Sequence, residues 1–192
     1  PLSASMVLHM DGSSDFRQTH SLNARLEAME LVTADSVLHP YDLVVNADLT
    51  PELIQLETLA GDLTLSVSSD QGLDSLLCCF DNVGKELERE IDSLRIQQNV
   101  LKALLPHLRV ELACGEKNPL SNILRHTVGY SFRDMSFHAF SSPTEGLNGD
   151  GHMYALNTGA ILLDSIEWRI HQRESGVSLD ACVANGPRNR MV

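Results

Sequence analysis

The sequence is short of aromatic residues, positive charge and long apolar runs, and the last two shortages each argue against a class of protein. Aromatic residues make up 5% of the 192 residues. No apolar run approaches the roughly 20 residues that a membrane-spanning helix needs. Lysine and arginine number 14 against 26 acidic residues, which gives a formal charge of −12. An acidic chain lacks the general attraction for phosphate that supports nonspecific binding to nucleic acids and to anionic membranes.

Cysteine is also scarce. The four residues are Cys78, Cys79, Cys114 and Cys182, and no C-x-x-C pair occurs. We interpret them as free thiols of a protein in the reducing cytoplasm, because no basic flank followed by an apolar stretch marks a secretory signal. No spacing among these cysteines and the eight histidines matches a zinc cage, so we predict no metal and no cofactor.

Catalytic motifs are missing as well. The sequence contains neither a G-x-S-x-G nucleophile turn nor a glycine-rich phosphate loop followed by Lys-Ser or Lys-Thr. Ser136 and His138 are interpreted as polar strand positions beside a turn. We therefore predict that the protein is not an enzyme. With 43% hydrophobic residues it is globular, and its length favours one domain, or one domain with a large insertion.

The first third of the chain carries mixed signals. Residues 1–15 are polar and are predicted to be unstructured, whereas residues 22–32 fit a strand or a helix equally well. Residues 43–45 are typical of a short strand. Thr50 followed by Pro51 is a favourable helix start, and Gly61 is a favourable stop, so this stretch predicts a short helix.

The clearest periodic signal lies in the middle of the chain. Apolar residues recur there in alternating steps of three and four, which predicts one helix over about residues 70–105, ended by Pro106. Such a helix is about 50 Å long, too long for a domain of this size to cover. We therefore predict a coiled coil, guessed to be a homotetramer, with a single long core helix as the alternative. The predicted oligomerisation residues are Leu73, Leu77, Phe80, Leu87, Ile91, Leu94, Gln98, Leu101 and Leu105.

The last third is typical of an antiparallel sheet. Apolar and polar residues alternate from residue 128 to 132, from 166 to 170 and from 177 to 183. Turn signals separate these runs at residues 141–143 and 148–151. Asn118 followed by Pro119 predicts a further short helix around residues 120–126. Short strands separated by turns favour a small closed barrel.

Four stretches of this region, in order, resemble motifs of the PilZ domain, a small β-barrel that binds the messenger cyclic di-GMP. Asp134–Ala139 is similar to the family's D-x-S-x-x-G strand, with alanine at the glycine position. Residues 148–150, 166–169 and 176–181 are similar to its following turn and two strands. The resemblance covers residues 128–192 and extends to residues 16–32, which it places as the first barrel strand.

The family's second motif, R-x-x-x-R, is only half present. Arg17 matches the first arginine, and Ser21 stands in place of the second. The resemblance implies a degenerate nucleotide site of Arg17, Asp134 and Ser136. Losing one charged, bidentate contact costs about 1.5–3 kcal/mol, so we predict weak or absent binding of cyclic di-GMP.

These arguments combine into one α+β prediction. A small antiparallel PilZ-like barrel over residues 16–192 is interrupted by a helical insertion at 50–127, and long helices in it form an oligomeric coiled coil. The resemblance implies a non-enzymatic bacterial protein of cyclic di-GMP signalling that acts as an adaptor through protein partners, with no nucleic acid and no membrane insertion. The alternative is a coiled-coil scaffold or sensor unrelated to cyclic dinucleotides.

Overall fold

The computed structural model describes residues 3–17, 19–32, 37–39, 41–93, 97–174 and 176–186. Strands dominate, and three helices interrupt them. The strands are β1 (Ser3–Ser14), β2 (His20–Val32), β3 (Val37–Leu38), β4 (Leu43–Leu49), β5 (Ile54–Ala60), β6 (Leu63–Ser69), β7 (Leu108–Cys114), β8 (Asp134–Ser142), β9 (Gly146–Asn157), β10 (Leu162–Arg173) and β11 (Gly176–Ala184). The helices are α1 (Leu73–Asp92), α2 (Gln98–Ala103) and α3 (Pro119–Thr127).

The described strands belong to one antiparallel sheet in which each strand except the short β3 pairs with its successor along the chain. The order is β1-β2-β4-β5-β6-β7-β8-β9-β10-β11, and the short β3 pairs with β2 beside this path. Within the described residues β1 and β11 are the two ends of the order and are not paired with each other. The sheet is therefore an open meander, and the predicted small barrel with long inserted helices is wrong.

The contact that the barrel required is missing for a topological reason. A PilZ-like barrel would bring residues 22–32 beside residues 130–140. Strand β2 instead pairs with β1, β3 and β4, whereas β8 pairs with β7 and β9. Four strands of the order separate β2 from β8, which places them about 24 Å apart at about 4.8 Å per strand.

The predicted 70–105 helix and its coiled coil are also wrong. Helix α1 ends at Asp92, and α2 begins after Gln97, whose φ of −104° and ψ of 82° are not helical. Leu76 and Glu90 are the buried residues of α1, so the helix packs through a different side from the predicted seam. The seam residues of α1 are exposed: Leu73, Leu77, Phe80, Leu87 and Ile91.

The remaining seam residues do not continue that stripe. Gln98 and Leu101 lie on the short α2, and Leu105 follows it. Leu94 lies outside the described residues. Among the described residues no helix is long and apolar enough to span a membrane.

Two further segments differ from expectation. The stretch from residue 3 to 14, expected to be unstructured, forms β1. The predicted helix after Thr50 is a turn, in which the Thr50 amide donates to the Leu53 carbonyl at 2.8 Å, followed by strand β5. The region 50–127 therefore contains the three strands β5, β6 and β7 as well as the helices. Strand β5 forms where a helix was predicted because its apolar residues alternate with polar ones, as a strand requires.

Other local predictions are confirmed. Residues 43–45 lie in β4, and the alternating runs at 166–170 and 177–183 lie in β10 and β11. Helix α3 starts at Pro119, and the Asn118 side chain accepts a hydrogen bond from the Ser121 amide at 2.9 Å. Residues 148–151, predicted to be a turn, instead lie inside β9.

One carboxylate ties the β5–β6 turn to the segment before α3. Asp62 accepts hydrogen bonds from the Lys117 amide at 2.9 Å, the Gly115 amide at 3.2 Å and the Asn118 side chain at 2.7 Å. Partial burial raises the pKa of Asp62, but these hydrogen bonds outweigh it and leave the pKa below its ordinary value. The carboxylate therefore contributes most to stability when it is ionised.

We expect Asp62→Ala to destabilise the fold by about 1–2 kcal/mol at neutral pH. This value is at the low end of the range for hydrogen bonds to charged groups, because Asp62 is exposed and solvent weakens the interaction. The folded-state pKa is lowered, so this contribution is present above about pH 4 and disappears as the pH falls through the folded-state pKa. Urea unfolding as a function of pH measures it. Asp48→Ala, at an exposed strand position, is the control, and an equal loss in both variants would contradict the role of Asp62.

Candidate functional site

The register of the sheet gathers apolar residues on one face. Residues directly paired across antiparallel strands share a face, and the next residue along each strand points to the other. Followed from edge to edge, the pairing gives two rows on this apolar face. One row is Met10, Ala24, Val45, Thr58, Leu65, Leu112, Phe137, Gly151, Trp168 and Ala181; the other is Gly12, Leu22, Ala47, Leu56, Val67, Val110, Ala139, Gly149, Ile170 and Leu179.

The row between these two belongs to the opposite, polar face. Every residue in it is polar or charged: Asp11, Asn23, Asn46, Glu57, Ser66, Glu111, His138, Asp150, Arg169 and Asp180. Five of these side chains are acidic and one is an arginine. The sheet is thus amphipathic over its whole width, which nine spacings of about 4.8 Å make about 43 Å.

The apolar face is accessible. Apart from the glycines, every residue of its two rows is at least partly exposed. The buried hydrophobic side chains among the described residues are Ile54, Ala60, Leu76, Cys114 and Phe132, and those in the sheet lie at strand ends. Burial raises the pKa of the Cys114 thiol to about 11, so this cysteine is not a nucleophile at neutral pH. The middle of the face remains an apolar surface in contact with solvent.

Trp168, the only tryptophan in the chain, lies on this face in β10, one strand from the edge formed by β11. It pairs with Gly151 on one side and with Ala181 on the other. A Cβ atom on Gly151 would lie 2.6 Å from the indole ring and 2.6 Å from the Ser136 carbonyl oxygen. The glycine therefore provides the space in which the indole ring lies close to strand β9. Because there is a single tryptophan, its fluorescence reports on this surface alone.

An open depression of about 510 Å³ spans β5, β6, β7 and β8. Most of its lining residues belong to the polar face, among them Ser66, Glu111 and His138, and Leu65, Leu112 and Phe137 of the apolar face lie between them along the strands. The volume lies within the range of small-molecule sites, about 300–1,000 Å³.

The polar face carries the ionisable side chains that could do chemistry. The Ser136 hydroxyl lies 2.8 Å from His152 Nδ1, and His152 Nε2 lies 3.5 Å from Asp134 Oδ1. His138 lies 3.8 Å from Glu111 and 3.7 Å from Asp150. The side chains of His152 and Asp134 are more than a third exposed, so solvent weakens their interaction. Cross-strand pairing explains these contacts, and the absence of enzymatic activity stays a prediction.

The predicted nucleotide-site residues are not brought together. Arg17 lies in the β1–β2 turn beside His20, Pro51 and Leu73, and its amide donates to Asp15. Asp134 and Ser136 lie on β8, about 24 Å away across the sheet. Asp134 also binds the Arg133 guanidinium at 2.7 Å. Ser136 and Asp134 share one cluster, and Arg17 belongs to another part of the molecule.

Among the residues that the structure describes, no group of three or more histidine, cysteine, aspartate or glutamate side chains could hold a metal ion. The described cysteines are all free. Comparison of the chain with family models, curated proteins and solved structures found no match.

The sequence reasoning missed the apolar face, although its signal is local. Leu108, Val110 and Leu112 alternate with Arg109 and Glu111 in β7, and Leu56 and Thr58 alternate with Gln55 and Glu57 in β5. These runs are the ordinary mark of a half-covered strand. The more conspicuous seven-residue repeat lies between these two strands in the sequence.

Gly151→Ala tests the close packing around Trp168. We expect it to destabilise the fold by about 1–3 kcal/mol, because the new methyl group must displace backbone or the indole ring. Chemical unfolding followed by Trp168 fluorescence provides the measurement. Gly84→Ala is the matched control: no heavy atom lies within 4 Å of its added Cβ, and it should stabilise α1 by up to about 1 kcal/mol. A Gly151→Ala protein as stable as the wild type would refute the packing argument.

Proposed function

We propose that this protein is a non-enzymatic binding protein whose apolar face holds the hydrocarbon chains of lipids or other amphiphiles. The observation that supports this proposal is the accessible apolar face, with two rows of apolar side chains running the full width of the sheet. Water contact with apolar surface costs about 25 cal/mol per Å², so an occupant that covers this face gains binding energy in proportion to the area covered.

The chemistry of the face favours hydrocarbon over a polar ligand. In the two rows, Thr58 and Trp168 are the residues whose side chains carry a hydrogen-bonding group. A ligand rich in polar groups would leave those groups without partners, and an unsatisfied polar group costs several kcal/mol. An acyl chain has no such requirement. The carboxylate or head group of the amphiphile remains in solvent at the rim.

The dimensions also suit acyl chains. A bilayer core about 30 Å thick holds two chains end to end, so one chain extends about 15 Å. The apolar face is about 43 Å wide. It therefore has length for two or three chains laid across the strands. The rows also contain small residues, such as Ala47, Ala139 and Gly149, next to larger leucine and valine residues. This difference in side-chain size makes the surface uneven, with shallow positions over the small residues.

Quenching of Trp168 tests this proposal directly. We expect a fatty acid brominated on its acyl chain to quench the fluorescence of Trp168 saturably, below its critical micelle concentration. The unbrominated acid should instead shift the emission to the blue, because it replaces water around the indole. Ligand that binds the folded state alone also raises the midpoint of thermal unfolding.

A pair of variants locates the site. Ala181 and Cys182 are adjacent, exposed residues of β11 that face opposite sides of the sheet. Ala181→Glu places a carboxylate beside Trp168 and should weaken binding at least about tenfold, because the chain must then desolvate a charge. Cys182→Glu adds the same charge to the polar face and should leave binding unchanged. Absence of quenching, or equal loss in both variants, would refute the proposal.

Weak or absent binding of cyclic di-GMP also remains our expectation. Arg17 lies far from Asp134 and Ser136, which is consistent with the missing second arginine. Calorimetric titration of cyclic di-GMP into the protein should give no saturable heat. Tight binding that Arg17→Ala abolishes would reverse this expectation and favour a role as a signalling adaptor that acts through protein partners. The cytoplasmic location stays a prediction.

A further inference from the structure

Strand β1 forms an unprotected edge of the sheet. It pairs on one side with β2, and all of its twelve residues are exposed. An edge strand presents a row of backbone N–H and C=O groups that can pair with another strand, and proteins commonly protect such edges with lysine, proline or short length. Strand β1 is long and contains neither lysine nor proline, and its one register shift against β2 lies toward the start of the strand, between Ser5 and Val7. Among the described residues no strand pairs with its outer side, so the outer backbone groups are available for pairing.

The side chains of β1 continue the two-faced pattern of the sheet up to this edge. Leu8 and Met10, on the apolar face, are 55% and 65% exposed, and Met6 is exposed as well. The β1 residues on the polar face include His9 and Asp11. A strand that pairs here must also alternate apolar and polar residues, with its apolar residues on the same side as Leu8 and Met10.

We propose that β1 pairs with β1 of a second copy of the chain, forming a two-fold symmetric dimer. When a strand pairs antiparallel with its own copy, a two-fold axis perpendicular to the sheet relates the two chains. The apolar faces of both chains therefore lie on the same side of the joined sheet. The sheet continues through the edge, and the apolar face doubles in width. The pairing does not depend on the proposed binding of hydrocarbon chains.

The sequence of β1 restricts the register. Registers that keep apolar residues opposite apolar residues are centred on a residue, and the middle of Ser3–Ser14 lies between Leu8 and His9. When the pairing is centred on His9, Leu8 of each copy lies opposite Met10 of the other copy. When it is centred on Leu8, the two Leu8 residues lie opposite each other, and Met6 of each copy lies opposite Met10 of the other. Both registers keep the two Asp11 carboxylates away from direct opposition, which would be unfavourable.

Sedimentation equilibrium tests the dimer. We expect the wild type to change from monomer to dimer as its concentration rises, and Leu8→Lys to raise the dissociation constant at least tenfold, because lysine at an edge opposes pairing. Leu179→Lys is the matched control, since Leu179 is 67% exposed on the apolar face of β11 at the opposite edge. A wild type that stays monomeric, or a dimer disrupted by Leu179→Lys and not by Leu8→Lys, would overturn the proposal.

Disulfide trapping tests the register and does not depend on how Leu8→Lys folds. In a background with the exposed Cys78 and Cys182 replaced by serine, Leu8→Cys or His9→Cys should form a covalent dimer under a mild thiol oxidant. Ser13→Cys, near the end of the strand, lies about 30 Å from its symmetry mate in either register and should not. Equal cross-linking at all three positions would indicate random collision and overturn the proposal. Sedimentation and disulfide trapping report on the dimer, and quenching of Trp168 reports on the binding of acyl chains, so the two proposals can fail separately.

Discussion

The organisation of this molecule depends on one constraint, the register of its strands. Residues paired across neighbouring strands must lie on the same face of the sheet, and successive residues of a strand lie on opposite faces. From Met10 on β1 to Ala181 on β11, each pairing joins residues of the same face. A slip of one residue at any strand would exchange the faces from that point onward and place carboxylates among leucines. The cost of such a slip rises with every strand beyond it. The row that runs from Asp11 to Asp180 shows how completely this constraint is met.

As a consequence, little of the chain that the structure describes covers the faces of the sheet. The helices connect strand ends, and the buried side chains of the sheet are also found there. Asp62 and Asn118 link the turn after β5 to the start of α3, and such polar contacts fix the ends where there is little apolar core. A face that the described part of the chain leaves open lowers its free energy when something else covers it. We propose two such interactions. Acyl chains bind to the apolar face, and a second copy of the chain pairs with the β1 edge.

The repeat of three and four residues was a strong but misleading signal. It continues from Leu73 to Leu105, yet the backbone leaves the helical region at Gln97, and the residues of the repeat on α1 face solvent. Helical periodicity establishes which residues share a side of a helix, but it cannot establish that the helix continues or which side packs. The residues of the predicted nucleotide site lie apart for a related reason. Asp134 and Ser136 do lie on a strand and do contact the same histidine, but no local sequence feature could place Arg17 five strands away.

The sequence by itself determined the short-range features. Alternation marked β10 and β11, Asn118 and Pro119 marked the start of α3, and the composition excluded a long apolar helix. These features depend on neighbouring residues, whose preferences are readable in order along the chain. The tertiary structure alone decided which strands are adjacent, that the sheet stays open, and that Trp168 lies over Gly151 on an accessible face. Those outcomes depend on register between distant segments, where the free energy of burying one whole face is summed over all the strands and no single segment carries it.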